Sequence, residues 1–210
     1  MAQKIGIGWQ DFEEIRKRDL FYVDKTAFIR EWWESGDGVT LIARPRRFGK
    51  TLNMSMLEKF FSVRYARRGD LFEGLRIWEE EKYRKLQGTY PVISLSFANV
   101  KERTYEEAVW RISQIMADLY NDNRFLLEGD LLSEEEKSYA KSISPQMPEV
   151  AAVTAIHRLS KFLYYYYGKK VIILLDEYDT PMQEAYVGGY WGKIVPFIRN
   201  LFNAAFKTNP

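Results

Sequence analysis

The chain has 210 residues, 46% of them hydrophobic and 16% aromatic, enough for one or two domains with a sizeable core. Lysine and arginine total 31 against 29 acidic residues, and a net charge of +2 is not the signature of a nucleic-acid binder. The absence of cysteine excludes disulfides, thiol nucleophiles and thiolate metal sites. The single histidine, His157, excludes multi-histidine metal centres and counts against a Ser-His-Asp triad. No stretch approaches the roughly 18 apolar residues that span a bilayer, and the N-terminus lacks the apolar core of a signal peptide. A cytoplasmic protein with no membrane partner is expected.

In chain order, residues 11–17 form a first short helix. YVDKT (residues 22–26) then leads into a second, with Asp24 as its N-cap. The turn SGDG ends that helix, and VTLI (residues 39–42) reads as a short buried strand. After ARPRRFGKT comes a helix in which Leu52, Met56, Leu57, Phe60 and Phe61 recur at helical spacing. Residues 74–90 hold a turn and a charged segment. PVISLSF (residues 91–97) is the second strand candidate. Residues 105–120 form a long helix with an apolar stripe, and Ser133 with Glu136 forms a capping box that opens another. Residues 142–149 are a loop, and residues 150–167 return to helical spacing before Gly168. The four-tyrosine run at 164–167 covers the rim of the core. VIILL (residues 171–175) is the most strand-like run, and residues 194–206 are the last helix. Strands alternating with long helices define an α/β layered fold with a mostly parallel sheet.

Two segments carry chemistry. Gly49-Lys50-Thr51 is the end of a phosphate-binding loop, G-x-x-x-x-G-K-[ST], but Arg44 stands where the first glycine belongs. Such a loop works through backbone N–H groups at a helix N-terminus, a lysine for the β and γ phosphates, and a hydroxyl for Mg²⁺. Pro45 can replace the missing glycine as a fixed turn, and Arg44, Arg46 and Arg47 add charge. With Phe48 and Leu52 included, residues 44–52 form the candidate cofactor-binding loop. The second segment, VIILLDEYD, ends a strand in Asp176 and Glu177. Asp176 suits a Mg²⁺-holding carboxylate and Glu177 one that polarises water. Asp179 is read as a helix cap before Pro181, ahead of a carboxylate that supports the metal ligands from behind. Lys50 and Glu177 are the candidate catalytic residues; Thr51 and Asp176 are the candidate metal ligands.

YVDKT, LIARPRRFGKTLNMSMLEKFF, PVISLSF and VIILLDEYDTPMQEA together resemble the AAA-ATPase-like family, from about residue 5 to residue 206. The R-P-R-R-F-G-K-[ST] loop is that family's own form, so Arg44 is its variant. The resemblance implies a three-layer P-loop fold, with Gly49, Lys50 and Thr51 on the phosphates and Mg²⁺ of ATP, Asp176 and Glu177 as the Walker B pair, and YVDKT near the nucleotide. Residues 1–38 would precede a partial nucleotide-binding core at residues 39–210, truncated before the sensor strand. Two strand edges would then be open. The family's nuclease-like module is expected to lie outside these residues, and nucleic acid would be a partner through that module; ATP and a second copy in a homo-oligomer are the other expected partners. No guanine-reading N/T-K-x-D motif occurs, which favours ATP over GTP. Two alternatives stay open: a nucleic-acid-binding module using the basic loop, and a regulatory scaffold that binds ATP without hydrolysing it.

Overall fold

The computed structural model describes residues 4–43, 45 and 48–207. They divide into two compact units, the first ending at Val92 and the second starting at Ile93.

The first unit is helical. Asp11 caps α1 (Phe12–Lys17) by accepting from Glu14 N at 3.0 Å, with acidic residues in the first turn and basic ones in the last, matching the helix dipole. α2 (Ala27–Ser35) stops at Gly36 in the left-handed conformation. α3 (Lys50–Phe61) buries Met56, Leu57, Phe60 and Phe61, the spacing read from sequence. The charged segment folds as two four-residue helices, α4 (Arg76–Glu79) and α5 (Glu81–Arg84), which each bury one side chain, Ile77 and Tyr83. Aromatic rings form the core: Phe12 stacks on Phe72 at 5.2 Å, and Phe60 meets Phe72 edge-on at 5.1 Å. Lys59 is buried in this core and pairs with Asp11 at 3.0 Å. At the end of the unit the chain passes so close to residue 66 that only glycine fits. A β-carbon on Gly88 would lie 2.2 Å from Ala66 Cα, and Gly88 N donates to Phe60 O at 2.7 Å.

Two expectations fail here. Residues 39–42 are not a strand: Val39 and Leu41 are 62% and 67% exposed. A lone apolar run gains no ladder bonds, and no strand of this unit is there to pair with it among the described residues. Asp24 does not cap α2 either. The N-cap is Thr26, in helical conformation with no side-chain cap bond, and Asp24 binds Thr26 itself.

The second unit is built on a two-stranded parallel sheet, β1 (Val92–Ser96) beside β2 (Ile172–Asp176). The connection between them runs through α6 (Tyr105–Asp122), α7 (Glu134–Ser142) and α8 (Glu149–Tyr167). The capping box of Ser133 and Glu136 is present in both directions, and α8 ends at left-handed Gly168. Residues 166 and 167 of the tyrosine run pack edge-on against Phe125, while Tyr164, Tyr165 and Tyr166 stay partly exposed. After β2 come α9 (Thr180–Gly188) and α10 (Trp191–Phe202), the latter continued by a π-turn at Asn203–Lys207. α10 therefore starts three residues before the expected Ile194, because Tyr190 at its N-cap offers no capping signal. Among the described residues no helix is long and apolar enough to cross a membrane.

Candidate functional site

In the first unit, Gly49 is the N-cap of α3, with φ 78 and ψ 24, a left-handed conformation that strains any other residue. Lys50, Thr51 and Leu52 make the first helical turn and are half-buried. The helix ladder starts only at Asn53, whose N–H donates to Gly49 O at 2.9 Å. The N–H groups of the first turn thus have no intrahelical acceptor and stand at the positive end of the helix dipole. In the same turn, Asn53 Oδ1 is buried without a hydrogen-bond partner among the described residues. Pro45 and Phe48 are exposed. Arg44, Arg46 and Arg47 lie outside the described residues.

The YVDKT turn comes to this loop. A β-carbon on Gly49 would meet Lys25 Nζ at 3.5 Å. Three of Lys25's neighbours in sequence fix the turn. Asp24 Oδ1 accepts from Thr26 N at 2.8 Å and from Thr26 Oγ1 at 2.6 Å, and its Oδ2 accepts from Arg76 N at 2.8 Å. Thr26 is fully buried, and its hydroxyl accepts from Ile77 N at 3.2 Å. The Tyr22 hydroxyl donates to Met56 Sδ on α3 at 3.3 Å, and burial pushes its pKa up to about 12, so it stays a neutral donor. Burial raises the Asp24 carboxyl, but the hydrogen bonds from Thr26 and Arg76 outweigh it and hold the group below the usual carboxylate range.

In the second unit, β2 ends on Asp176. Its carbonyl accepts from Phe97 N at 3.0 Å, which extends the pairing with β1 to that residue. Asp176 Oδ1 accepts from Glu177 N at 3.0 Å. Glu177 has φ 50, and Asp19 is the other non-glycine with positive φ among the described residues. Such backbone strain, about 1–2 kcal/mol for a side chain in this region, clusters at functional sites. The turn closes with Thr180 N donating to Glu177 O at 3.1 Å. Asp179 occupies the N-cap of α9, but its carboxylate accepts from Gln183 Nε2 at 2.6 Å and does not cap the helix. Among the described residues no three His, Asp or Glu side chains cluster as a metal site. Gly49, Lys50, Thr51 and Leu52 therefore stand together in one unit, and Asp176 and Glu177 in the other. Sequence spacing does not bring Lys25 to Gly49, because the turn that carries it is closed by hydrogen bonds to α4, distant in the chain.

A parallel strand pair with a long helical crossover, a strand-end carboxylate pair and a Gly-Lys-Thr turn opening a helix make this an α/β protein. The chain belongs to the AAA-ATPase-like family: the model of that family, described as predicted AAA-ATPase, matches residues 6–210. The chain is also similar to a protein of Azotobacter chroococcum mcd 1 described as an uncharacterized protein in the vnfD 5′ region. The two are 29% identical over 181 residues, which is 86% of this chain and 30% of that protein. The chain thus spans under a third of the length of this relative. No solved structure matches it.

Proposed function

We propose that the chain is the ATP-binding part of an AAA-like ATPase with a three-layer P-loop core at residues 39–210, and that Gly49, Lys50 and Thr51 hold the phosphates. The observation that carries this reading is left-handed Gly49 at the N-cap of α3, which leaves the first-turn N–H groups without a helix acceptor. Membership of a family of predicted ATPases supports it.

The residues present fit the group at its phosphate end. Gly49 has no β-carbon to keep an oxyanion from the backbone, Lys50 supplies a positive charge, and the Thr51 hydroxyl can ligate Mg²⁺. Asp176 is the second candidate Mg²⁺ ligand. Mg-ATP, when bound, supplies the scissile phosphoanhydride and the charge that neutralises its leaving group. A carboxylate oxygen of Glu177 would take the proton of the attacking water.

Calorimetry of ATP with and without Mg²⁺ tests the reading. Saturable, Mg²⁺-assisted binding that Lys50→Ala weakens by about tenfold or more is expected, the loss of one charge-assisted bond. Glu177→Gln is expected to retain binding and to lose whatever hydrolysis the wild type shows. A folded chain that binds no nucleotide refutes the proposal.

A further inference from the structure

We infer that Lys25 is a second phosphate-binding lysine of this loop, contacting the polyphosphate of the bound nucleotide from the YVDKT turn. The inference rests on the phosphate-loop reading of Gly49–Thr51 and adds a residue to it. Its starting point is the 3.5 Å between Lys25 Nζ and the position a β-carbon of Gly49 would take. The loop glycine is where a phosphate approaches the backbone most closely, so an ammonium at that spot is within reach of a phosphate oxygen.

Two further features support the assignment. The turn is anchored on both sides of Lys25. Asp24 and Thr26 together take or give four hydrogen bonds that tie the turn to itself and to the start of α4. Tyr22 ties the same turn to α3 through Met56. The stem of Lys25 thus leaves a fixed backbone, and its place beside Gly49 does not depend on side-chain order alone.

Charge is the second feature. Lys17, Lys59, Lys82 and Lys85 of this unit pair with carboxylates and spend their charge within the protein. Lys25 is exposed, and no carboxylate lies within ion-pair distance of it among the described residues. A cation brought to an anion-binding glycine without an internal counter-ion is arranged for an external one. The ligand class is a nucleoside polyphosphate, and the charge faces the polyphosphate, not the base.

The test is calorimetry of Mg-ATP and of Mg-tripolyphosphate on the full chain, comparing wild type with Lys25→Met, Lys25→Gln, Lys25→Arg, Lys50→Ala and Lys85→Met. The last removes one exposed charge of the same unit away from the loop. Folding of each variant is checked by circular dichroism, and the exposure of Lys25 predicts native spectra for all its substitutions. Lys25→Met and Lys25→Gln are expected to weaken both ligands by about tenfold, the loss of one charge-assisted contact. Lys25→Arg is expected to restore most of the affinity, and Lys85→Met to change it little. If Lys50→Ala abolishes binding while Lys25→Met binds as wild type, the Lys25 assignment is overturned and the loop reading stands. Equal weakening by Lys25→Met and Lys85→Met also overturns it, since only net charge would then matter. No binding by the wild type overturns the loop reading and the Lys25 assignment with it.

Discussion

Asp24→Asn isolates the lock that holds the YVDKT turn. The wild-type carboxylate uses one oxygen for the amide and hydroxyl of Thr26 and the other for the amide of Arg76. Asparagine has one acceptor oxygen. If that oxygen keeps Thr26, the amide NH₂ faces the Arg76 N–H, donor against donor. If it flips, both Thr26 bonds are lost. Each bond to a charged group contributes about 1.5–3 kcal/mol, and the half-buried position places the loss near the low end for one bond plus the weakening of the others. Asp24→Asn should therefore destabilise the chain by about 2 kcal/mol at pH 7. The pH dependence has a definite sign. A carboxyl whose pKa is depressed in the fold contributes stability above its unfolded pKa, and that contribution vanishes as pH falls through the folded value. The difference between wild type and variant should stay constant from neutral pH down to the usual carboxylate range and close below it. Urea unfolding followed by near-ultraviolet circular dichroism at several pH values measures this. A difference below about 0.5 kcal/mol at pH 7, or one that grows on acidification, would refute the account of the lock.

Two further substitutions read the backbone directly. Gly88→Ala should cost about 3–4 kcal/mol, because positive φ and a 2.2 Å approach to Ala66 Cα act together. Gly74→Ala, with positive φ and open space around it, should cost only about 1 kcal/mol; equal costs in urea titrations would mean the close approach to Ala66 is not felt. Glu177→Gly removes a side chain from φ 50 and should raise stability by about 0.5–1 kcal/mol. On the proposed reading it does so while removing turnover, the exchange expected where strain serves a site.

The elements legible in the sequence were those whose signal is local. The apolar runs at β1 and β2, the capping box at Ser133 and the glycine stop at 168 lie where they were expected. Residues 39–42 misled because strand propensity reports a capacity to pair, and the partner is a tertiary fact. α4 and α5 escaped notice because four residues are too short for a period, and each helix is held by one buried side chain, Ile77 or Tyr83. Within the candidate site, Gly49 was readable as a residue type that favours left-handed backbone. Glu177 was not, since nothing about glutamate signals positive φ. Asp24 looked like a cap, and only the fold shows that its second oxygen goes to Arg76.

Residues 38–43, between α2 and α3, have a consequence for how the first unit is put together. The backbone of residues 38–43 makes no hydrogen bond among the described residues. The two sides of that connection are held by other means: Phe12 N donates to Ser55 Oγ at 3.0 Å, Asp11 pairs with Lys59 at 3.0 Å, and Arg16 Nε donates to Leu71 O at 2.8 Å. A nick in this connection would put Lys25 and Gly49 on separate polypeptides without cutting a contact that sets their distance. What the connecting peptide supplies is proximity, an effective concentration on the order of millimolar for a short linker. The two pieces, produced apart and mixed at sufficient concentration, would bring Lys25 beside Gly49 in trans.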